Sequence, residues 1–448
     1  MRLRGCAWFA LSSLLLTPLA AATRPRYGGT LTVELSAVWA TIDPTDALSD
    51  LTAKSQRDAI LPLITETLVR LNAKGEAEAV LAVNWQRDAD RKRWRFSLRS
   101  KVTFHDGEPL TAANAAPVLL AALKKKYPDV SVTAGGQTVV IQSEHPMPDL
   151  LTELSYPRAA IFRNADKSSL IGTGPFRITG WEPGHRLNLA AFEDYWAGRP
   201  YLDSVTITTG TARGNADVLA LSVGPSRRVL PERTRIWSSP SRDLMALLIG
   251  KIDPAIGQAL ELSIDRAPIV SVLAQRRGEA AYGVLPQWIG GYAFLFARPP
   301  DITRAKALLG QTRATPLALS YNANDTFARL VAERVALNAR DAGLVIDAST
   351  TANGSLRLVR LPLESTDTVA ELLRIAEAMG IGDHPVTLNA SKPETLYEFE
   401  RSLLDTHKVI PLVYLPEVYA VSPRVHDWDS AQKDRGFTLH LENVWVDP

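Results

Sequence analysis

The sequence predicts a two-lobed α/β protein. Its 448 residues are about three times the length of a typical single domain. The early half alternates apolar and polar residues with the period of two that marks hairpins, and the later half alternates strand and helix patterns. No Pro/Gly-rich or low-complexity tether separates the halves, so strands should cross between the lobes and form a hinge.

The chain opens with Arg2 and Arg4, an apolar run from Ala7 to Leu16, and Ala20-Ala21-Ala22, the pattern of a cleavable export signal over residues 1–22. The apolar run is short for a membrane span. The only cysteine, Cys6, precedes it, whereas a lipidated cysteine should follow, so the mature chain is expected to be exported, thiol-free and not a lipoprotein. Removing residues 1–22 takes away two cations and no acid. It turns 50 Lys+Arg against 48 Asp+Glu into 48 of each, and a body without basic excess argues against nucleic acid as partner.

After the turn Tyr27-Gly28-Gly29, Thr30–Leu35 alternates as a half-buried strand. Ile60, Leu63, Ile64, Leu68 and Leu71 have helical spacing and predict a helix over 60–71. Trp94, Phe96 and Leu98 alternate with polar residues and follow the charged stretch Arg87–Arg93, predicting a hairpin with aromatics inside and a solvated tip. A helix from near Thr111 ends on Lys124-Lys125-Lys126, where cations suit the helix dipole. Gly172-Thr173-Gly174 is followed by Pro175, which removes a donor that a phosphate-cradling loop needs, so it reads as a rigid turn before the strand Phe176–Ile178. Asp253-Pro254 reads as the N-cap and first turn of a helix. In the later half, the strand 316–321, the helix 325–343 with Gly343 as its stop and the strand 344–348 form a β-α-β unit. Strand 356–363, helix 369–379, a helix near 394–404 and strand 409–415 continue the alternation.

Catalytic patterns are missing. The seven histidines at 105, 145, 185, 384, 407, 426 and 440 form no His-x-x-x-His pair, and neither His-Glu-x-x-His nor Gly-x-Ser-x-Gly occurs. No enzyme activity, cofactor or metal is expected. His105, in Phe104-His105-Asp106-Gly107, reads as a turn residue, and Trp196 as a large packing anchor.

Several blocks, in order, resemble the extracellular solute-binding proteins of family 5, the periplasmic peptide, dipeptide and nickel receptors of ABC importers. They are Tyr27–Leu31 with Ile42-Asp43-Pro44, Glu66–Val69 with Leu81–Trp85, Trp94–Arg99 with Val102–Ala112, Gly172–Phe176 with Trp181–Gly184 and Glu193–Asp203, Gln258–Arg266, and Ser422–Val425. The resemblance implies a two-lobed periplasmic binding protein of type II, cluster C-like, with an extra subdomain inserted in the first lobe. Lobe one would hold 28–45, 165–240 and 406–448, the insertion 46–164, and lobe two 241–405. The implied function is capture of a small solute, possibly an oligopeptide, and delivery to membrane permease subunits by a monomeric receptor. The alternative is a periplasmic scaffold or chaperone-like relative that has lost transport.

The chain departs from the family where peptide receptors carry an aspartate for the peptide amine. The corresponding stretch, Leu356–Ser365, has Glu364 and then only Asp367 beyond it, and neither can be assigned that role. Candidate ligand contacts are proposed from position alone: Trp39 and Thr41 after the first strand, Trp288 and Tyr292 in an aromatic, Gly-rich loop, and Tyr321 and Asn322 at the carboxyl end of a lobe-two strand.

Overall fold

A computed structural model describes residues 24–166, 169–210, 216–224, 230–310, 316–350, 354–380, 392–429 and 438–447. The export segment 1–22, with Cys6, lies outside the described residues.

One mixed sheet runs through the molecule. Its order is Phe176–Glu182, Arg186–Ala191, Ser204–Thr209, Thr30–Leu35, Val218–Leu221, Val409–Val421, Arg235–Ile249, Leu356–Pro362, Leu317–Ser320 and Ile346–Ser349, with Glu279–Ala280 added on Val409–Val421. Two long antiparallel strands, Arg235–Ile249 and Val409–Val421, belong to both ends of it. At one end Val218–Leu221 pairs with Val418–Val421; at the other Leu356–Pro362 pairs with Asp243–Ile249. Between these ends the ladder shifts register twice, from Ser238 to Ser241 and from Ser241 to Asp243, opposite Leu415, Pro416 and Val418. Pro240 and Pro416 cannot donate to the ladder, so this is where the ribbon can bend at least cost. The crossing strands expected from the missing tether are present.

Each side of the bend has its own core. On the first side, Leu31, Val33 and Leu35 pack with Val205, Ile207, Val421, Trp428 and Val446. The C-terminal residues thus close the core that the first strand opens, and Gly29 lies so close to Val446 that a Cβ there would sit 2.6 Å from its Cγ2. On the second side, Leu244, Ala246 and Leu248 face one core while Met245 and Leu247 face another. Helix Thr326–Asp341 covers one face through Phe327, Val331 and Val335; Thr368–Ala378 and Pro393–Leu404 cover the other through Leu372, Ile375 and Phe399. A sheet buried on both faces explains why the long strand reads as a continuous apolar run. The β-α-β unit forms as expected, with Leu317–Ser320 parallel to Ile346–Ser349 and Asp325 capping the helix.

A four-stranded antiparallel sheet, Ala82–Arg87, Arg93–Leu98, Thr138–Gln142 and Ser131–Gly135, builds a further body with helix Ala112–Leu123. Trp94, Phe96 and Leu98 point into its core, and Thr111 caps the helix in a reciprocal box with Asn114.

The helix expected over 60–71 is not there. Helix Leu51–Ile60 ends in a 3-10 turn at Leu61–Leu63, and Val69–Leu71 is a strand. Ile60, Leu63, Ile64 and Leu68 are all fully buried, but Pro62 turns the chain and the apolar residues are spent on two cores. Their spacing imitates a helix because the segment is buried all round.

Candidate functional site

Several blocks read from the sequence meet around one carboxylate. Glu66 is buried where the first core joins the inserted body, and its oxygens accept from Thr173 Oγ1 at 2.8 Å, Tyr195 Oη at 2.9 Å and Trp196 Nε1 at 2.9 and 3.1 Å. Arg99 lies 4.0 Å over the Trp196 ring. Burial pushes the Glu66 carboxyl up to about 7, against the lowering effect of the hydrogen bonds donated to it.

The glycines of Gly172-Thr173-Gly174 let two backbones touch. A Cβ on Gly172 would sit 1.9 Å from the Ile64 carbonyl oxygen, and Gly174 N–H donates to that oxygen at 2.9 Å. His105 clamps the same turn, with Nε2 at 3.0 Å from the Gly174 carbonyl and Nδ1 at 3.4 Å from the Gly172 N–H. Those partners require the neutral ring, donating through Nε2 and accepting through Nδ1. Burial and the nearby Arg177 cation take its pKa down to about 4, against the opposing Gly174 hydrogen bond. The histidine is a turn residue, as the sequence suggests.

This framework borders a cavity of about 1510 Å³ between the two sides of the sheet. The first side contributes Pro44, Asp46, Lys54, Arg57 and Asp58, the inserted body Arg158 and Tyr156, and the second side Leu361–Thr366 and Arg374; Arg242 reaches in from the bend. Arg57, 1% exposed, donates to the carbonyls of Asp43 and Asp46 at 2.9 and 2.8 Å, and so holds the Asp43-Pro44 block at the wall.

The two sides are bonded to each other across the cavity. Lys54 Nζ lies 2.9 Å from both Asp58 Oδ2 on its own helix and Glu364 Oε1 opposite. Thr152 Oγ1 donates to Asp367 Oδ2 at 2.7 Å, Thr366 Oγ1 to the Asn72 carbonyl at 3.0 Å, and Arg242 Nη2 reaches Ser55 Oγ at 3.2 Å. Glu364 is itself positioned: its N–H donates to Glu371 Oε1, and Arg374 ties Glu371 to the Pro362 carbonyl. Burial raises the Glu364 carboxyl, but Lys54, Arg374 and Arg158 outweigh that and hold it below the usual range. Asp367 caps helix Thr368–Ala378 as well as accepting from Thr152. Both acidic residues singled out in the sequence therefore already have partners.

None of the six contact residues proposed from position lines this cavity. Trp39 is 1% exposed and stacks on Trp181 at 5.1 Å in the first core. Thr41 bonds Asp46. Trp288 donates from Nε1 to the Ser241 carbonyl at 2.7 Å and packs on the second core, which also buries Tyr292. Tyr321 packs in the second side, and Asn322 reaches across to Asp50 at 3.3 Å. Of the residues that do face the cavity, Lys54 and Arg374 sit on ordinary helices and Glu364 just past a strand; a partner 310 positions away leaves no local signal.

Residues 76–223 match the sequence profile described as bacterial extracellular solute-binding proteins, family 5 middle. The nickel-binding protein NikA of Staphylococcus aureus is 33% identical over 153 residues, which covers 32% of this chain and 31% of that protein. The probable D,D-dipeptide-binding periplasmic protein DdpA of Escherichia coli is 24% identical over 322 residues, 63% of this chain and 62% of that one. These matches span less than two thirds of either relative. The solved structure of the ABC transporter-associated periplasmic binding protein DppA of Helicobacter pylori, in complex with the peptide STSA, superposes with a TM-score of 0.77 over 95% of this chain and 99% of that one, at 16% identity. The fold is that of the two-lobed type II periplasmic binding proteins, and the family-5 resemblance read from the sequence blocks is borne out.

Proposed function

Starting from a two-lobed chain with the family-5 profile, we propose that it is the extracytoplasmic receptor of an ABC importer. It holds a solute between its lobes and presents it to permease subunits, with no catalytic turnover. The observation that carries this reading is the cavity of about 1510 Å³ bordered by both lobes and by the bend of their shared strands. A site there grips its solute only when the lobes are closed, so the solute biases that closure. The volume exceeds the roughly 300–1,000 Å³ of drug-sized pockets and suits an oligopeptide-sized organic solute. Among the described residues no cluster of three His, Cys, Asp or Glu is placed to hold a metal, which favours an organic solute over a bare ion.

The cores support the following division of the chain. Lobe one takes 28–65, 165–240 and 406–448, the insertion 66–164, and lobe two 241–405. The insertion begins after Thr65 rather than at 46, because Ala53, Ile60, Leu61 and Ile64 pack in the lobe-one core. Export with loss of residues 1–22 and a monomeric state complete the reading; among the described residues no helix is long and apolar enough to cross a membrane. Native mass spectrometry of protein purified from its own periplasm tests it. The expected result is a chain about 22 residues short carrying an organic mass. A ligand-free chain would overturn the receptor reading in favour of a scaffold.

A further inference from the structure

The cavity's charges are matched before any solute arrives. On its lobe-two wall the carboxylates among the described residues are Glu364 and the exposed Glu377. Glu364 is the one held in place, with its backbone bonded to Glu371 and its side chain 24% exposed. Lobe one answers it with Lys54, whose ammonium lies 2.9 Å from Glu364 and 2.9 Å from Asp58. An ammonium between two carboxylates is what a cationic solute group would seek there, and the chain supplies its own on a four-carbon stem.

We propose that Lys54 is a tethered counter-ion that sets the specificity of the cleft. By occupying Glu364 it draws the lobes together without a solute, and it restricts the site to solutes that present no ammonium at that point: neutral compounds or ones with blocked amines. The other bonds across the cleft, from Thr152, Thr366, Asn322 and Arg242, are single hydrogen bonds in which at most one partner is charged. They set the alignment of the lobes, while Lys54 joins full charges. The solute class rests on the receptor reading; the closure does not.

Small-angle scattering and thermal melts of the mature chain, with no solute added, test this. The wild type should be compact, with a radius of gyration of about 22 Å for its length. Lys54→Ala should open it by roughly 3% or more with its melt still cooperative. Millimolar n-butylammonium, which can fill the vacated place with a cation, should restore the compact value, and n-butanol of the same shape should not. Glu364→Gln should open the cleft as well and ignore butylammonium, which keeps the test decisive if Lys54→Ala folds poorly. Variants as compact as the wild type, or an opened Lys54→Ala indifferent to butylammonium, would overturn the proposal. Such a failure leaves the receptor reading standing, whereas periplasmic protein without a solute removes that reading and not the counter-ion.

Discussion

The junction around Glu66 and the seam around Lys54 border the same cavity and are built from opposite materials. At the junction a buried carboxylate is surrounded by uncharged donors, and backbones touch at Gly172 and Gly174 with no room for a Cβ. At the seam the partners are long or hydroxylic side chains, partly exposed except for the buried Thr152, each reaching across to a different body. Close-packed, desolvated contacts cannot part without unfolding, whereas half-solvated single bonds exchange readily with water. The difference separates what holds the molecule together from what lets it open. Substitutions at the junction should therefore change stability and leave the lobe angle alone, and those at the seam should do the reverse.

The largest effect expected is for Gly172→Ala. A Cβ 1.9 Å from the Ile64 carbonyl oxygen forces two backbones apart, and about 3–5 kcal/mol should be lost, read by denaturant unfolding; a loss under about 1 kcal/mol would mean that the two segments slide freely. Trp288→Ala should cost about 2–4 kcal/mol, because its ring packs on the second core and its Nε1 holds the Ser241 carbonyl at the bend. Solute affinity in the folded fraction should change little, and a tenfold weakening by calorimetry would return Trp288 to the binding site.

Titration sharpens the contrast. Glu66, raised from 4.5 to about 7 by burial, favours the folded state fully below pH 4.5 and loses that contribution as pH rises through 7. His105, lowered from 6.5 to about 4, has the opposite sign: its contribution is present above 6.5 and lost as pH falls toward 4. Glu66→Gln should remove up to about 3 kcal/mol of the decline in stability between pH 4.5 and 8. An unchanged slope in pH-dependent melts would show that Glu66 titrates normally. The smallest effect expected is for Thr152→Val, which deletes the bond to Asp367. It should shift closure by roughly 0.5–1.5 kcal/mol, visible by scattering, with no change in melting temperature.

The sequence made the local parts of this contrast legible and hid the pairings. Asp325, Gly343 and the apolar stripe of Phe327, Val331 and Val335 announce the β-α-β unit, because caps and periodicity act within one element. The motif blocks were visible as blocks, yet nothing in Glu66-Thr67-Leu68 says that Tyr195 and Trp196 complete it 129 and 130 positions later. Residues 60–71 misled because total burial erases the polar face on which helix and strand patterns depend. Trp39 follows the first strand, where a ligand contact is expected, but its stacking on Trp181 depends on a hairpin far along the chain.

The shared ribbon also dictates an order of assembly. Thr30–Leu35 lies between Ser204–Thr209 and Val218–Leu221, and its core stays incomplete until Trp428, Leu441 and Val446 arrive. A chain threaded through a membrane from its N-terminus would deliver the first strand long before these partners. The opening lobe must wait, with apolar surface bare, while lobe two has nearly all of its strands; contacts this distant in sequence form slowly and expose the chain to proteases and aggregation. Under the proposed export, chaperones on the far side of that membrane should therefore matter most in the interval before the last forty or so residues emerge, and damage to those residues should harm the lobe that was made first.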